Sequence, residues 1–82
     1  AQEWLDQNYP KEKRNEVLMI KDETKTERLI GELYLDHFNK LTELDLSNND
    51  ITKLDVTDCY DLEKLIVANN SLTKLLNHSR DI

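Results

Sequence analysis

Leucine and other apolar residues recur at a fixed spacing along the second half of the chain. When the sequence is compared with itself at an offset of 21 residues, apolar positions between residues 41 and 75 fall on one another. The coinciding pairs are Leu41 and Leu62, Leu44 and Leu65, Leu46 and Val67, Ile51 and Leu72, and Leu54 and Leu75. Polar Asn49 falls on Asn70 at the same offset. A period of this length indicates repeats that stack on their neighbours and bury one continuous core.

The repeats predict short strands at Glu43-Leu44-Asp45 and Lys64-Leu65-Ile66, each followed by a second half of the coil. The apolar run within residues 16–22 predicts an earlier strand. Polar residues 21–28 make the spacing to the next strand about three residues longer, so we expect them to bulge as a loop. We expect Leu29 and Ile30 to return to the core before a tight turn at Gly31.

Residues 1–13 lack the repeat and are predicted to form an N-terminal helical cap. Residues 2–8 favour a helix, and Pro10 ends it at or before Tyr9. The end of a stacked array exposes its core unless a cap covers it, and Trp4 could serve this purpose. The alternative is an aromatic patch that binds a peptide.

Two repeated positions point to buried structural roles. Asn49 and Asn70 follow the strands, where an amide can bond to backbone groups that the turn would otherwise leave unpaired. We predict that they form a stacked asparagine ladder. Cys59 occupies the position of Phe38 one repeat later and is predicted to be a small buried apolar residue.

The repeat pattern fails after Leu75. Asn77 and Arg80 stand where the preceding repeat has Val56 and Cys59, so we expect an open C-terminal coil. Such an end exposes unpaired strand groups. It would be covered by further repeats of a longer protein or by pairing with another copy.

The charge and chemistry of the sequence argue against several functions. A net charge of −6 without a basic run argues against nucleic acid or an anionic membrane as the partner. The single cysteine favours a reducing compartment, which predicts an intracellular, cytoplasmic protein. His37 and His78 are isolated, and there is neither metal-ligand spacing nor a glycine-rich phosphate loop. We therefore predict no catalytic residue, no metal, no cofactor and no enzymatic activity.

The motif L-x-x-L-x-L-x-x-N in residues 41–49 resembles the leucine-rich repeat proteins. More narrowly, the chain is similar to 21-residue-repeat proteins of mycorrhizal fungi. The likeness rests on the opening AQEWLDQNYPKEKRNE, the segment Gly31-Glu32-Leu33-Tyr34-Leu35-Asp36-His37-Phe38, and the repeats at residues 41–52 and 62–73. Residues 21–28 depart from it because they are longer and more charged.

The resemblance implies an α/β solenoid: a right-handed coil with a parallel sheet on its concave face and a short N-terminal capping helix. The solenoid would span residues 14–82 in about three coils. Proteins of this kind act in recognition, as scaffolds and in signalling, and bind protein partners through the concave strands. The residues expected to bind are Glu43, Asp45, Ser47, Lys64, Ile66 and Ala68, with Asn48 and Asn69 beside them and with Met19 and Lys21 extending the row.

Two functional hypotheses remain open. The first is a protein–protein interaction module that binds through its concave strands. The second is a structural role, either as the N-terminal capping section of a longer repeat array or as a solenoid that self-associates through its open C-terminal coil.

Overall fold

A computed structural model describes residues 1–22 and 27–77. Helix α1 comprises Gln2–Asn8, and a 3₁₀ helix follows at Lys11–Glu16. The strands are β1 (Met19–Lys21), β2 (Ile30–Tyr34), β3 (Glu43–Asp45), β4 (Asp50–Asp55), β5 (Lys64–Ile66) and β6 (Lys74–Leu76).

Successive strands alternate between two three-stranded sheets. The first sheet has the order β1-β3-β5 and the second the order β2-β4-β6. Every strand pair is parallel. Parallel neighbours cannot be joined by a hairpin and need a crossover connection. Here the intervening strand of the other sheet forms part of each crossover, so the chain passes back and forth across one core.

The second sheet departs from the sequence prediction, which placed strands only on one side of each coil. β4 reads Asp-Ile-Thr-Lys-Leu-Asp, and its Ile51 and Leu54 are buried while the residues between them are half-buried. These two buried residues are three positions apart, and the pairing with β2 passes over Thr52 between Ile51 and Lys53. An extra residue of this kind lets both side chains face the core. Neither sheet is curled, so the coiled solenoid and its concave face stay a prediction.

The core lies between the two sheets and consists of columns of repeat-related side chains. In the first sheet Leu44 pairs with Ile20 and with Leu65, and in the second Leu54 pairs with Leu33 and with Leu75. Each side chain of this kind that is fully buried stabilises the fold by roughly 1.5–3 kcal/mol. The buried apolar residues are Leu5, Ile20, Leu29, Leu33, Leu35, Phe38, Leu41, Leu44, Leu46, Ile51, Leu54, Val56, Cys59 and Leu62.

The start of the array shows one confirmed and one wrong prediction. Met19 pairs with Glu43, and Glu43 with Lys64, so the first spacing is the longer one, as predicted. Residues 23–26 of the predicted loop lie outside the described residues. Ile30, expected in the core, is 69% exposed, whereas Leu29 is buried.

The register of the second sheet explains the exposure of Ile30. Ile30 pairs with Asp50 and Gly31 pairs with Ile51, and the register then shifts before Glu32. For Ile30 and Gly31, which precede the shift, the observed pairing therefore differs by one residue from the 21-residue offset that matches Ile30 with Ile51. Gly31 adopts φ +93°, a conformation that favours glycine, at the point where the irregularity occurs.

Helix α1 forms at the predicted residues and packs against β2. Leu5 is its fully buried residue, while Trp4 is half-buried and packs against the core. The Trp4 and Tyr9 rings lie edge to face with centroids 6.1 Å apart, and Tyr9 contacts Phe38 in the same manner at 5.9 Å. The aromatic cluster thus joins α1 to the core.

The last strands are less covered than their counterparts. Leu44 and Leu54 are completely buried. By contrast, Leu65, which pairs with Leu44, is half-buried, and Leu75, which pairs with Leu54, is 37% exposed. Leu72 is half-buried where Ile51 is buried. His78 and Arg80 lie outside the described residues.

Candidate functional site

The outward-pointing residues of the first sheet form a continuous surface, which we call the outer face. Strand residues alternate between the two sides of a sheet, and Ile20 and Leu44 point into the core. Their neighbours therefore point outward. The register aligns them in two rows: Met19, Glu43 and Lys64 in one, and Lys21, Asp45 and Ile66 in the other.

The six residues predicted to bind a partner lie on, or shortly after, the neighbouring strands β3 and β5. Four of them form part of these rows, and Ser47 and Ala68 follow β3 and β5. Asn48 N donates to Ala68 O at 2.9 Å, so the two chain segments stay paired beyond the strands. Lys64 and Ala68 are exposed, whereas Glu43, Asp45, Ser47 and Ile66 are half-buried. Their role in binding stays a prediction.

Charges of both signs lie side by side on the outer face. Lys21 Nζ is 3.5 Å from Glu43 Oε2. Asp45 Oδ1 accepts hydrogen bonds from Ser47 Oγ at 2.7 Å and from Ser47 N at 3.1 Å. These bonds stabilise the charged carboxylate and lower the pKa of Asp45. Asp45 therefore holds the turn after β3, whereas Glu43 pairs with Lys21.

Asn49 and Asn70 make equivalent hydrogen bonds one repeat apart. Asn49 Oδ1 accepts from Leu29 N at 2.7 Å, and Asn70 Oδ1 accepts from Ile51 N at 3.0 Å. Asn49 Nδ2 donates to Leu46 O at 2.9 Å, and Asn70 Nδ2 donates to the same oxygen at 2.8 Å. The two amides thus tie the end of the first sheet to the start of the second. Their contribution to stability stays a prediction.

Arg28 spans the two asparagine turns and was not singled out from the sequence. Its Nη2 lies 2.7 Å from Asn49 O, 3.0 Å from Asp50 Oδ1 and 3.3 Å from Asn69 O. Asn48 and Asn69 both have positive φ in these turns, a conformation that asparagine tolerates. Arg28 is the last residue of the polar run 21–28 and has no counterpart at the repeat offset, so no sequence signal identified it.

Arg14 is the second residue that sequence reasoning missed. It is completely buried, and its guanidinium lies over the Phe38 ring, 4.9 Å from the centroid. Nε donates to Tyr9 O at 2.7 Å, Nη1 to Asp36 O at 3.2 Å and Nη2 to Asp6 Oδ1 at 2.7 Å. A planar guanidinium can bond in several directions at once. Arg14 therefore fixes α1 and the 3₁₀ helix to the turn before Phe38.

Cys59 is buried, as predicted, and burial raises the pKa of its thiol to about 12. A thiol with such a high pKa is a poor nucleophile at neutral pH. Within residues 1–22 and 27–77 no group of three His, Cys, Asp or Glu side chains is placed to hold a metal ion. The same part of the chain contains no helix that is long and apolar enough to span a bilayer.

Comparison with known proteins gives one match. The family model described as Leucine Rich Repeat matches residues 40–62, a segment that contains β3 and β4. The match supports a leucine-rich repeat protein, and the narrower likeness to fungal repeat proteins stays a prediction. No curated protein and no solved structure matches the chain.

Proposed function

We propose that this leucine-rich repeat chain is a protein–protein interaction module that binds a protein partner through its outer face. Proteins with such repeats generally mediate protein–protein contacts, which supports the general role. The proposal assigns the chain no enzymatic activity and no cofactor. It places the chain in the cytoplasm, where a single reduced cysteine is expected.

The main support for this function is the arrangement of charged and apolar side chains on the outer face. Helix α1 packs against β2 of the other sheet, and Lys21 and Lys64 on the outer face are exposed. Charges of both signs stand next to apolar Met19, which is 50% exposed, and next to Ile66. A mixed surface with an apolar element suits a partner that buries the apolar side chains and pairs with the charges around them.

The proposal includes the solenoid arrangement. The chain returns to the first sheet once per repeat, and β3 and β5 align residue for residue at the repeat offset. Additional repeats would extend the outer face strand by strand. The first sheet is then the binding side of the coil, which is the side that the resemblance assigns.

The experiment compares capture of proteins from a cell extract by three immobilised chains. The face variant carries Glu43→Lys and Ile66→Asp. The matched control carries Glu32→Lys and Ile30→Asp, the same changes on strand β2 of the second sheet. Asp45 is left unchanged because its carboxylate holds the turn at Ser47.

We expect a protein that the wild type and the control retain equally and that the face variant retains at least about tenfold less, as expected when contacts worth at least 1.4 kcal/mol are lost. Circular dichroism of each chain verifies folding. Equal loss with the face variant and the control, or no specifically retained protein, would contradict the proposal.

A second candidate is the structural role at the C-terminal end, supported by the 37% exposure of Leu75 and the half-buried Leu65 and Leu72. In this case the last strands pair with further repeats or with another copy. Light-scattering mass across a concentration series tests the self-pairing form. A larger species that Leu72→Lys with Leu75→Lys abolishes would favour this candidate.

A further inference from the structure

The two sheets differ in how their N-terminal edges are covered. At the edge of the second sheet, Gln2 bonds with both backbone groups of Tyr34: Oε1 accepts from Tyr34 N at 2.7 Å and Nε2 donates to Tyr34 O at 3.2 Å. Ala1 N donates to Ile30 O at 3.0 Å. The side chain of Gln2 thus takes the place of a neighbouring strand at β2.

The edge of the first sheet has no equivalent cover among the described residues. Leu18 O accepts from Thr42 N and Glu43 N, and Asp22 N donates to Asp45 O, so the even-numbered residues bond to β3. Alternate residues of a parallel strand bond to opposite sides. Met19 and Lys21 therefore direct their N–H and C=O groups away from β3, and no described group bonds to them there.

The same edge carries exposed apolar side chains. Leu18 is 60% exposed and Met19 is 50% exposed. An open strand edge with apolar side chains is a template for another strand. Proteins usually protect such an edge, as Gln2 does at β2, and no residue of segments 1–22 and 27–77 protects β1 in this way.

We propose that the free edge of β1 pairs with β1 of a second copy of this chain in an antiparallel, two-fold symmetric dimer centred on Ile20. This dimer uses the edge of the first sheet and does not depend on partner binding at the outer face. In this register Met19 lies opposite Lys21 of the second copy, and Lys21 opposite its Met19. Each opposed pair exchanges both backbone hydrogen bonds, as in an antiparallel ladder. All four outward N–H and C=O groups of β1 are then bonded.

The charges of the outer face are compatible with this register. One row of the joined sheet reads Lys64, Glu43 and Met19, followed by Lys21, Asp45 and Ile66 of the second copy. Charges of opposite sign are neighbours and no like charges stand side by side, an arrangement that stabilises cross-strand pairs. A register centred on Lys21 would instead place two lysines opposite each other. Charge therefore favours the register centred on Ile20 over the one centred on Lys21.

The contact between two three-residue strands is small, so the dimer is weak. Sedimentation of the wild-type chain should show the mass rising from monomer towards dimer across roughly 10 µM to 1 mM. Met19→Lys places two lysines opposite each other across the joint, and we expect it to keep the chain monomeric. Within its own chain the new lysine lies beside Glu43, so the fold is preserved. Ile30→Lys is the matched control on the covered strand β2 and should leave the dimer unchanged.

A second substitution tests the register. Adding Lys21→Glu to Met19→Lys places opposite charges across the joint, and dimerisation should return. Amide hydrogen exchange tests the location: the Met19 and Lys21 amides should become protected as concentration rises, while those of Ile20 and Asp22, already bonded to β3 in the monomer, should change little. A monomer at every concentration overturns the proposal. Protection that instead develops at Leu65 and Val67 also overturns it, because the dimer would then form at the opposite end.

Discussion

At the scale of single residues, Asn49 ties three parts of the chain together. Its amide accepts from Leu29 N and donates to Leu46 O and to Asp22 Oδ2. Asn49→Leu adds apolar volume but leaves the buried Leu29 N–H without its acceptor, while Leu46 O keeps its bond from Asn70. A buried unpaired group costs about 1–3 kcal/mol, so we expect a loss of about 2 kcal/mol in the free energy of unfolding.

Urea unfolding of two further variants gives the comparison. Asn70 is half-buried, so Asn70→Leu should cost less than Asn49→Leu. Asn39→Leu is the surface control, because Asn39 is exposed in a turn. If the Asn49 and Asn39 variants unfold at the same midpoint, the asparagine ladder does not stabilise the fold.

The contact between Asp6 and Arg14 should make stability depend on pH. The hydrogen bond from Arg14 lowers the pKa of Asp6 below its ordinary value of 3.8. Between these two pKa values the unfolded chain binds more protons than the folded chain, so stability falls as pH falls. The contribution of the pair is fully present above pH 3.8 and is lost as pH drops through the lower folded-state pKa.

Urea unfolding of wild type and Asp6→Asn between about pH 6 and pH 2 tests this expectation, because it covers both protonation states. The variant should be less stable at pH 6, and the difference should shrink towards the acidic end. Glu3→Gln, an exposed change on the same helix, is the control. A difference that stays constant over the range would show that the charge of Asp6 is irrelevant.

The structural role of a residue could be predicted where the residue recurs at the repeat offset. It could not be predicted for a residue that occurs only once. Asn49 has Asn70 as its counterpart, so a structural role could be read from the pattern. Arg14 stands in the polar stretch Lys-Glu-Lys-Arg-Asn-Glu, which gives no sign of burial. Only the folded contacts with Asp6 and Phe38 show why a charged side chain is stable there.

At the scale of elements, Gln2 protects the edge of β2 by replacing a strand. Gln2→Ala removes the acceptor of Tyr34 N and the donor to Tyr34 O. We expect faster amide exchange at Tyr34 by about fivefold to tenfold, as expected for the loss of one hydrogen bond of about 1 kcal/mol. Gln7→Ala is the matched control, since Gln7 lies exposed on the same helix. If the Tyr34 amide exchanges at the same rate in both variants, the helix backbone, and not the Gln2 side chain, protects that amide.

The elements also show where the repeat pattern is sufficient and where it is not. The strands at residues 43–45 and 64–66 lie where the spacing predicts them. The second sheet was missed because residues 50–55 and 30–34 were interpreted only as connections. The exposure of Ile30 was not predicted, because the register shift at Gly31 changes the offset between paired residues by one. A single offset applied to the whole chain cannot represent such a local shift.

At the scale of the whole molecule, stability should depend on the interfaces between repeats. Each repeat packs mainly on its neighbours, and the last described strands have a neighbour on one side only. The contrast between buried Leu54 and exposed Leu75 in the same column measures this effect. Adding a repeat to the array should therefore increase stability, because the added repeat has a neighbour to pack on at either side.

A chain with residues 41–61 duplicated in tandem after residue 61 tests this argument. The inserted repeat keeps the offset and gives the first and the second sheet one more strand each. We expect a higher urea midpoint and a steeper transition, because the longer array buries more surface on folding. The control is the same insertion with the inserted copies of Leu44, Leu46 and Leu54 changed to Ser, which lengthens the chain without extending the core. If both insertions unfold at the wild-type midpoint, the repeats do not stack as a continuous array, and the solenoid proposal fails together with the structural role of the C-terminal end.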